Sequence, residues 1–195
     1  MCEPKACGGM GFKILKCFNL TLLAKQGWRL QLAQDSLVFW VLKAKYFPRC
    51  DFIHASLGHN RSYTWRSIMV AQELVKEGMM WRVGNGRDVK VWGDRWLPSS
   101  SSHVVISPRL FLHEDTWVEE LIDTDAMCWK SLVVDSIFLP HEAETIKSIL
   151  LSVHFPLDKL VWAETANGKF IVKSAYHLAV KISFSENRGS ASIVA

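Results

Sequence analysis

The stretch from Trp81 to Pro98 constrains this chain more than any other. Val83 leads into Gly84-Asn85-Gly86, three residues that accept positive φ at low cost, so a tight turn is expected there. On an extended return segment Val89 and Val91 share one face, and Asp88, Lys90 and Trp92 share the other. Trp81, Trp92 and Trp96 can then cluster on the ribbon, and Pro98 stops it because proline cannot donate to a ladder. A β-hairpin with an aromatic cap is expected, with Gly84, Gly86, Trp81, Trp92 and Trp96 as its structural residues. Nine tryptophans in 195 residues make the same point for the whole chain, since each buries a large area. Nothing between Trp81 and Pro98 has the pattern of an active site.

Helices are expected before this stretch. Asn19 suits the N-cap of a helix from Leu20 to about Gln34. Asp35 or Ser36 caps a second, Leu37 to Tyr46, which Pro48 ends. A third runs from Ser62 to about Lys76, with Gly78 as its stop. After Pro98 the serines at 99–102 suggest a linker over 99–108. A short acidic amphipathic helix around Glu119 follows, then helices from Met127 to Phe138 and from Pro140 to Leu151, with Pro140 at the first helical position. Asn167-Gly168 centres a second hairpin over 160–173, and Ser174 caps a helix from Ala175 to about Phe184, with a frayed polar tail after it. The expected fold class is α+β: helical, with two β-hairpins and a Trp-rich core. The expected division is a basic helical segment over 1–98, the linker over 99–108, and an acidic helical segment with hairpin and helix over 109–195.

Charge narrows the function classes. Residues 1–97 carry 15 Lys and Arg against 7 Asp and Glu, net +8, and residues 98–195 carry 8 against 12, net −4. A basic half suits a polyanionic partner. Lys25, Arg29, Lys43, Lys45 and Arg66 are the nucleic-acid-contact candidates, because each sits on a helix whose apolar face is otherwise occupied. Solvated surface charge is the plain alternative. The carboxylates Glu114, Asp115, Glu119, Glu120, Asp123 and Asp125 could hold two metal ions for phosphoryl chemistry, with Glu119, Glu120 and Asp123 as the set for a carboxylate-metal nuclease. Their interleaving with Trp117, Val118, Leu121 and Ile122 fits a solvated acidic face better. The five cysteines form no Cys-x-x-Cys pair, so reduced thiols are expected and no structural zinc. Gly8-Gly9-Met10-Gly11 lacks the Gly-Lys-Ser/Thr ending of a phosphate cradle. No cofactor and no metal are expected. No apolar run reaches the roughly 20 residues that span a bilayer, and the first residues lack a signal-peptide core. An intracellular protein is expected, with its two glycosylation sequons unused.

Five blocks resemble one family in order and in register. They are Glu3-Pro4-Lys5 with Gly8 to Phe12 and Phe18 to Leu30; Val41 to Pro48; Ser62 to Ile68; Trp81 to Pro98; and Val172-Lys173-Ser174-Ala175-Tyr176. Together they resemble plant non-LTR (LINE-type) retrotransposon polyproteins, in the region between the polymerase catalytic part and the zinc-binding reverse transcriptase domain. The resemblance implies a non-catalytic connector whose residues 109–195 begin that zinc-binding domain. The family's Tyr-x-Asp-Asp motif, downstream Cys/His cluster and ribonuclease H carboxylates have no counterpart in this sequence. Its implied partners are RNA, single-stranded DNA or an RNA–DNA hybrid, in nucleus or cytoplasm, with an organellar relic also open. Phe39-Trp40 and Phe170-Ile171 depart from the family pattern, where a small residue with Arg and Tyr-Ser are usual. The rival expectation is an inert retroelement relic that binds nothing.

Overall fold

The computed structural model describes residues 14–59, 62–98, 102–109 and 111–191, and of 186–191 the backbone alone. The Gly8–Gly11 loop, Cys2, Cys7, Arg61 and Ser99–Ser101 lie outside these residues. The chain falls into two compact units, one of residues 1–78 with 162–195 and the other of residues 79–161. These boundaries differ from the division expected at 98 and 109.

The first unit is helical. Helix α1 spans Leu15–Leu32, α2 Leu37–Tyr46, α3 Tyr63–Val70, α4 Gln72–Gly78 and α7 Val172–Ala191. Cys17, Thr21, Ala24 and Trp28 repeat at steps of four, three and four and form the buried stripe of α1. That stripe packs on α7, α3 and α4. It draws the helix start back to Leu15, so Asn19 lies inside the helix and not at its cap: packing overrides a cap preference worth about 1 kcal/mol. Helix α2 has the expected limits, and Ser36 Oγ accepts from Phe39 N at 3.1 Å. The expected third helix is two. It breaks at Ala71, where Gln72 turns inward and its Nε2 donates to Phe52 O at 2.7 Å and Ala55 O at 2.8 Å.

Two aromatic clusters fill this unit. Trp65, fully buried, stacks on Tyr46 at 4.8 Å and on Phe47 at 5.4 Å. Trp28, Trp162 and Phe170 form the other, with Trp162 and Phe170 centroids 4.5 Å apart. Gly78 admits Trp162: a Cβ there would lie 2.1 Å from the indole. The Asn167-Gly168 turn forms, with Gly168 at φ +69 and its carbonyl accepting from Trp162 N at 2.9 Å. No return strand follows it. Helix α7 begins at Val172, and Ser174 sits within it, accepting from Trp162 Nε1 at 2.9 Å. The helix also carries the expected frayed tail onward to Ala191.

The second unit holds most of the β-structure. Strand β1 (Met79–Arg82) pairs with β4 (Lys159–Trp162), and β2 (Ile122–Asp123) pairs antiparallel with β3 (Cys128–Trp129), Ile122 opposite Trp129. A 3₁₀ turn spans Val118–Leu121, where an acidic helix was expected, and α5 (Ser131–Ile137) and α6 (Pro140–Ser148) follow the second sheet. The fold class is α+β with two small sheets and a Trp-rich core, as the sequence implies. The strand pairing is not the expected one. The 83–92 segment does not fold back on β1. Val91 N donates to Thr116 O and Val118 N to Val89 O, with Lys90 bridging Trp117. This pairing seals Val89, Val91 and Val118, each wholly buried, in one core with Trp92, Trp96 and Trp129, and Trp81 packs against it.

The described part of the expected linker, residues 102–108, packs within this unit. Trp96 N and Leu97 N both donate to His103 O, and Val105 and Ser107 are buried. Glu142 accounts for this. At the third position of α6 its buried carboxylate accepts from Ile106 N at 2.7 Å, Ser107 N at 3.0 Å and the Ser107 hydroxyl. Ser107 Oγ accepts in turn from Leu139 N at 2.7 Å. A serine-rich composition signals a linker only where its backbone groups find no partners. Among the described residues no helix is long and apolar enough to cross a membrane.

Candidate nucleic-acid interface

The charge division follows the units. Residues 1–78 with 162–195 carry 15 Lys and Arg against 7 Asp and Glu, net +8, while residues 79–161 carry 8 against 12, net −4. All five basic candidates lie in the helical unit. Lys25 and Arg29 stand one turn apart on the exposed side of α1, and among the described residues neither side chain has a hydrogen bond or ion pair. Arg66, exposed on α3, is likewise uncommitted. It lies two residues from Thr64 and Ile68, which face the end of α1 that carries Arg29, so Arg66 points away from that end. The other two candidates have structural work. Lys43 Nζ donates to Cys50 O at 2.6 Å and rests 5.4 Å from the centre of the Phe47 ring. Lys45 Nζ lies 5.2 Å from the Tyr46 ring. Tyr46 donates to Ser62 Oγ at 2.7 Å. That bond lowers the phenol's pKa, burial opposes it, and Lys45 adds to the lowering.

Glu119, Glu120 and Asp123, the set for a carboxylate-metal nuclease, are each engaged locally. Glu119 pairs with Arg87 Nε at 2.9 Å. Glu120 accepts from Trp117 N at 3.2 Å, and Asp123 Oδ1 accepts from Asp125 N at 3.1 Å and Ala126 N at 2.9 Å, shaping the β2–β3 turn. Among the described residues no group of three His, Cys, Asp or Glu side chains is placed to hold a metal ion. Asp115 pairs with Lys90 at 2.5 Å. The hydrogen bond and the attraction lower the Asp115 pKa and raise that of Lys90.

A polar cluster built on Asp158 was not legible in the sequence. Asp158 Oδ1 accepts from Gly84 N at 2.6 Å and Gly86 N at 2.9 Å, and its Oδ2 accepts from Asp88 N at 2.9 Å. The Gly84–Asp88 loop is a nest of backbone donors, and the chain fills it with its own carboxylate. Gly86 has φ +74, as expected, but Gly84 does not have a positive φ. Gly84 is needed for space: a Cβ there would lie 2.0 Å from Pro156 O. Only the pairing of two glycines hinted at such a nest, and nothing nearby in sequence pointed to residue 158.

Neither a family model nor a solved structure matches the chain. Two curated proteins of Arabidopsis thaliana do. One, a mitochondrial protein named only as uncharacterized, is 41% identical over 90 residues, 46% of this chain and 58% of that protein. The other carries the name "Putative ribonuclease H protein" and is 29% identical over 182 residues, 91% of this chain and 29% of that protein. The chain thus spans just over half of the first relative's length and under a third of the second's, and it is similar to plant proteins of which one is named for ribonuclease H.

Proposed function

We propose that this chain is a retroelement-derived, non-catalytic segment of a LINE-type reverse transcriptase polyprotein, and that its helical unit makes weak, sequence-independent contact with RNA, single-stranded DNA or an RNA–DNA hybrid. The observation that carries the reading is the uncommitted cations Lys25, Arg29 and Arg66 on a unit of net charge +8. The likeness to a protein named for ribonuclease H over 91% of the chain supports a polynucleotide partner. Lys43 and Lys45 are engaged with α2 and the loop after it and play a lesser part in contact. The non-catalytic half of the proposal draws on the local engagement of Glu119, Glu120 and Asp123.

The test is a low-salt anisotropy titration of labelled single strands and hybrids with the whole chain. Comparable binding of unrelated sequences supports the proposal. A folded chain that binds none of them is an inert relic. Incubation with primer-template, nucleotides and Mg²⁺ or Mn²⁺ should yield neither extension nor hybrid cleavage. Metal-dependent turnover lost in Glu119→Gln/Asp123→Asn would overturn the non-catalytic half.

A further inference from the structure

The outer face of α2 is apolar and open. Leu37, Val38 and Val41 are 79, 62 and 56% exposed. With Leu30 of α1 and Ile68 of α3 they line a groove of about 600 Å³ on the helical unit. Arg29 stands on its wall, uncommitted, with Lys25 one turn behind it on α1. An apolar channel with an unneutralised basic edge is half of a complementary pair.

We propose that this groove docks an amphipathic helix of a protein partner, with an apolar stripe at i, i+3 or i+4, and i+7, and with Glu or Asp along the edge that meets Arg29 and Lys25. The groove runs between helices, and a helix whose stripe fills such a groove is a recurrent mode of peptide recognition. Acidic residues follow from charge complementarity. A second copy of the chain is disfavoured on the same ground, since apposing two such faces brings two Arg29–Lys25 edges together. Nucleic acid is disfavoured in the groove itself because no aromatic ring lines it, and single strands bind through stacking platforms. This inference goes beyond the nucleic-acid reading and stands without it.

The probe is a labelled designed peptide of about 18 residues, five helical turns, with a Leu/Ile stripe flanked by Glu, set against a control with Lys in place of Glu. Each is titrated into the whole chain at about 0.15 M salt. The acidic peptide should saturate, and the basic one should bind about tenfold or more weakly. Val38→Gln/Val41→Gln changes exposed positions to a good helix former. It should weaken the acidic peptide by about tenfold with the thermal melt unchanged. Arg29→Gln should narrow the gap between the peptides, and Arg29→Glu should reverse it. Failure of the acidic peptide to saturate, or equal binding of both, overturns the proposal. So does a sedimenting dimer that Val38→Gln/Val41→Gln dissolves, or single-stranded RNA binding that the same pair weakens as much as it weakens the peptide. Loss of RNA binding with peptide binding retained would fail the nucleic-acid reading alone.

Discussion

Asp158 holds the Gly84–Asp88 loop of the second unit. Its carboxylate answers three backbone donors on Gly84, Gly86 and Asp88. Hydrogen bonds to a charged group contribute roughly 1.5–3 kcal/mol each in favourable cases, but they are not additive. Asp158→Ala should therefore cost about 2–4 kcal/mol in a urea melt, and Asp158→Asn, which keeps one acceptor, should cost less. Gly86→Val combines a positive φ with a Cβ 2.5 Å from Glu119 N, so it should cost at least the roughly 1–3 kcal/mol of backbone strain. Trp92→Ala removes a side chain only 5% exposed and should cost about 3–5 kcal/mol. Melts in which all of these variants match the parent would remove the Trp81–Pro98 region from its organising place.

At the scale of elements, local chemistry marked helix limits well where the end of a helix is solvent-facing and poorly where it is packed. Helix α2, capped by Ser36 and followed by Pro48, has the limits its sequence implies. Helix α1 does not, because its first turn is held by distant residues: Ile14 N donates to the Tyr176 hydroxyl at 3.0 Å. The strand pairing depends on residues remote in sequence. A hairpin pattern at Gly84-Asn85-Gly86 is a local signal, yet β1 takes β4 as its partner from far along the chain. Gly84 and Gly86 serve a nest that Asp158 fills, and no local pattern encodes a partner at that distance. Among the basic candidates, Lys43 could not be separated from Lys25 by sequence, since the Cys50 carbonyl it meets comes from the following loop. Phe39 and Phe170, which depart from the family pattern, each take a place in an aromatic cluster. The loop after α2 carries a pH prediction. Asp51 is partly buried, which raises its pKa, but hydrogen bonds from His54 and Gln31 and the attraction of His54 leave it lowered. A lowered carboxylate contributes stability above its unfolded pKa of about 3.9 and loses it as pH falls through the folded value. The chain should lose thermal stability below about pH 4 by more than Asp51→Asn does. Parallel acid curves for the two would show that Asp51 contributes nothing.

For the whole molecule, the charge asymmetry was legible and its boundary was not. The basic character attributed to residues 1–97 belongs to residues 1–78 with 162–195, because α7 packs on α1. A cut near residue 98 therefore divides both units. Residues 1–97 alone leave the Cys17, Ala24 and Trp28 stripe without α7 and Trp162, so that fragment should expose apolar surface and bind the dye ANS. A cooperative, dye-free melt from it would contradict the assignment of α7 to the helical unit. Binding must accordingly be measured on the whole chain with substituted side chains. Phosphate contact releases counterions, so log affinity falls with log salt by about 0.7 per contact on single strands. The most direct measurement is that slope for the parent chain and for Lys25→Gln/Arg29→Gln/Arg66→Gln. Three contacts predict a slope near −2 in the parent and one about two units flatter in the triple variant, with both melts alike. A slope that the three substitutions leave unchanged, or no measurable binding by the folded parent, would contradict the claim that the helical unit is a nucleic-acid interface.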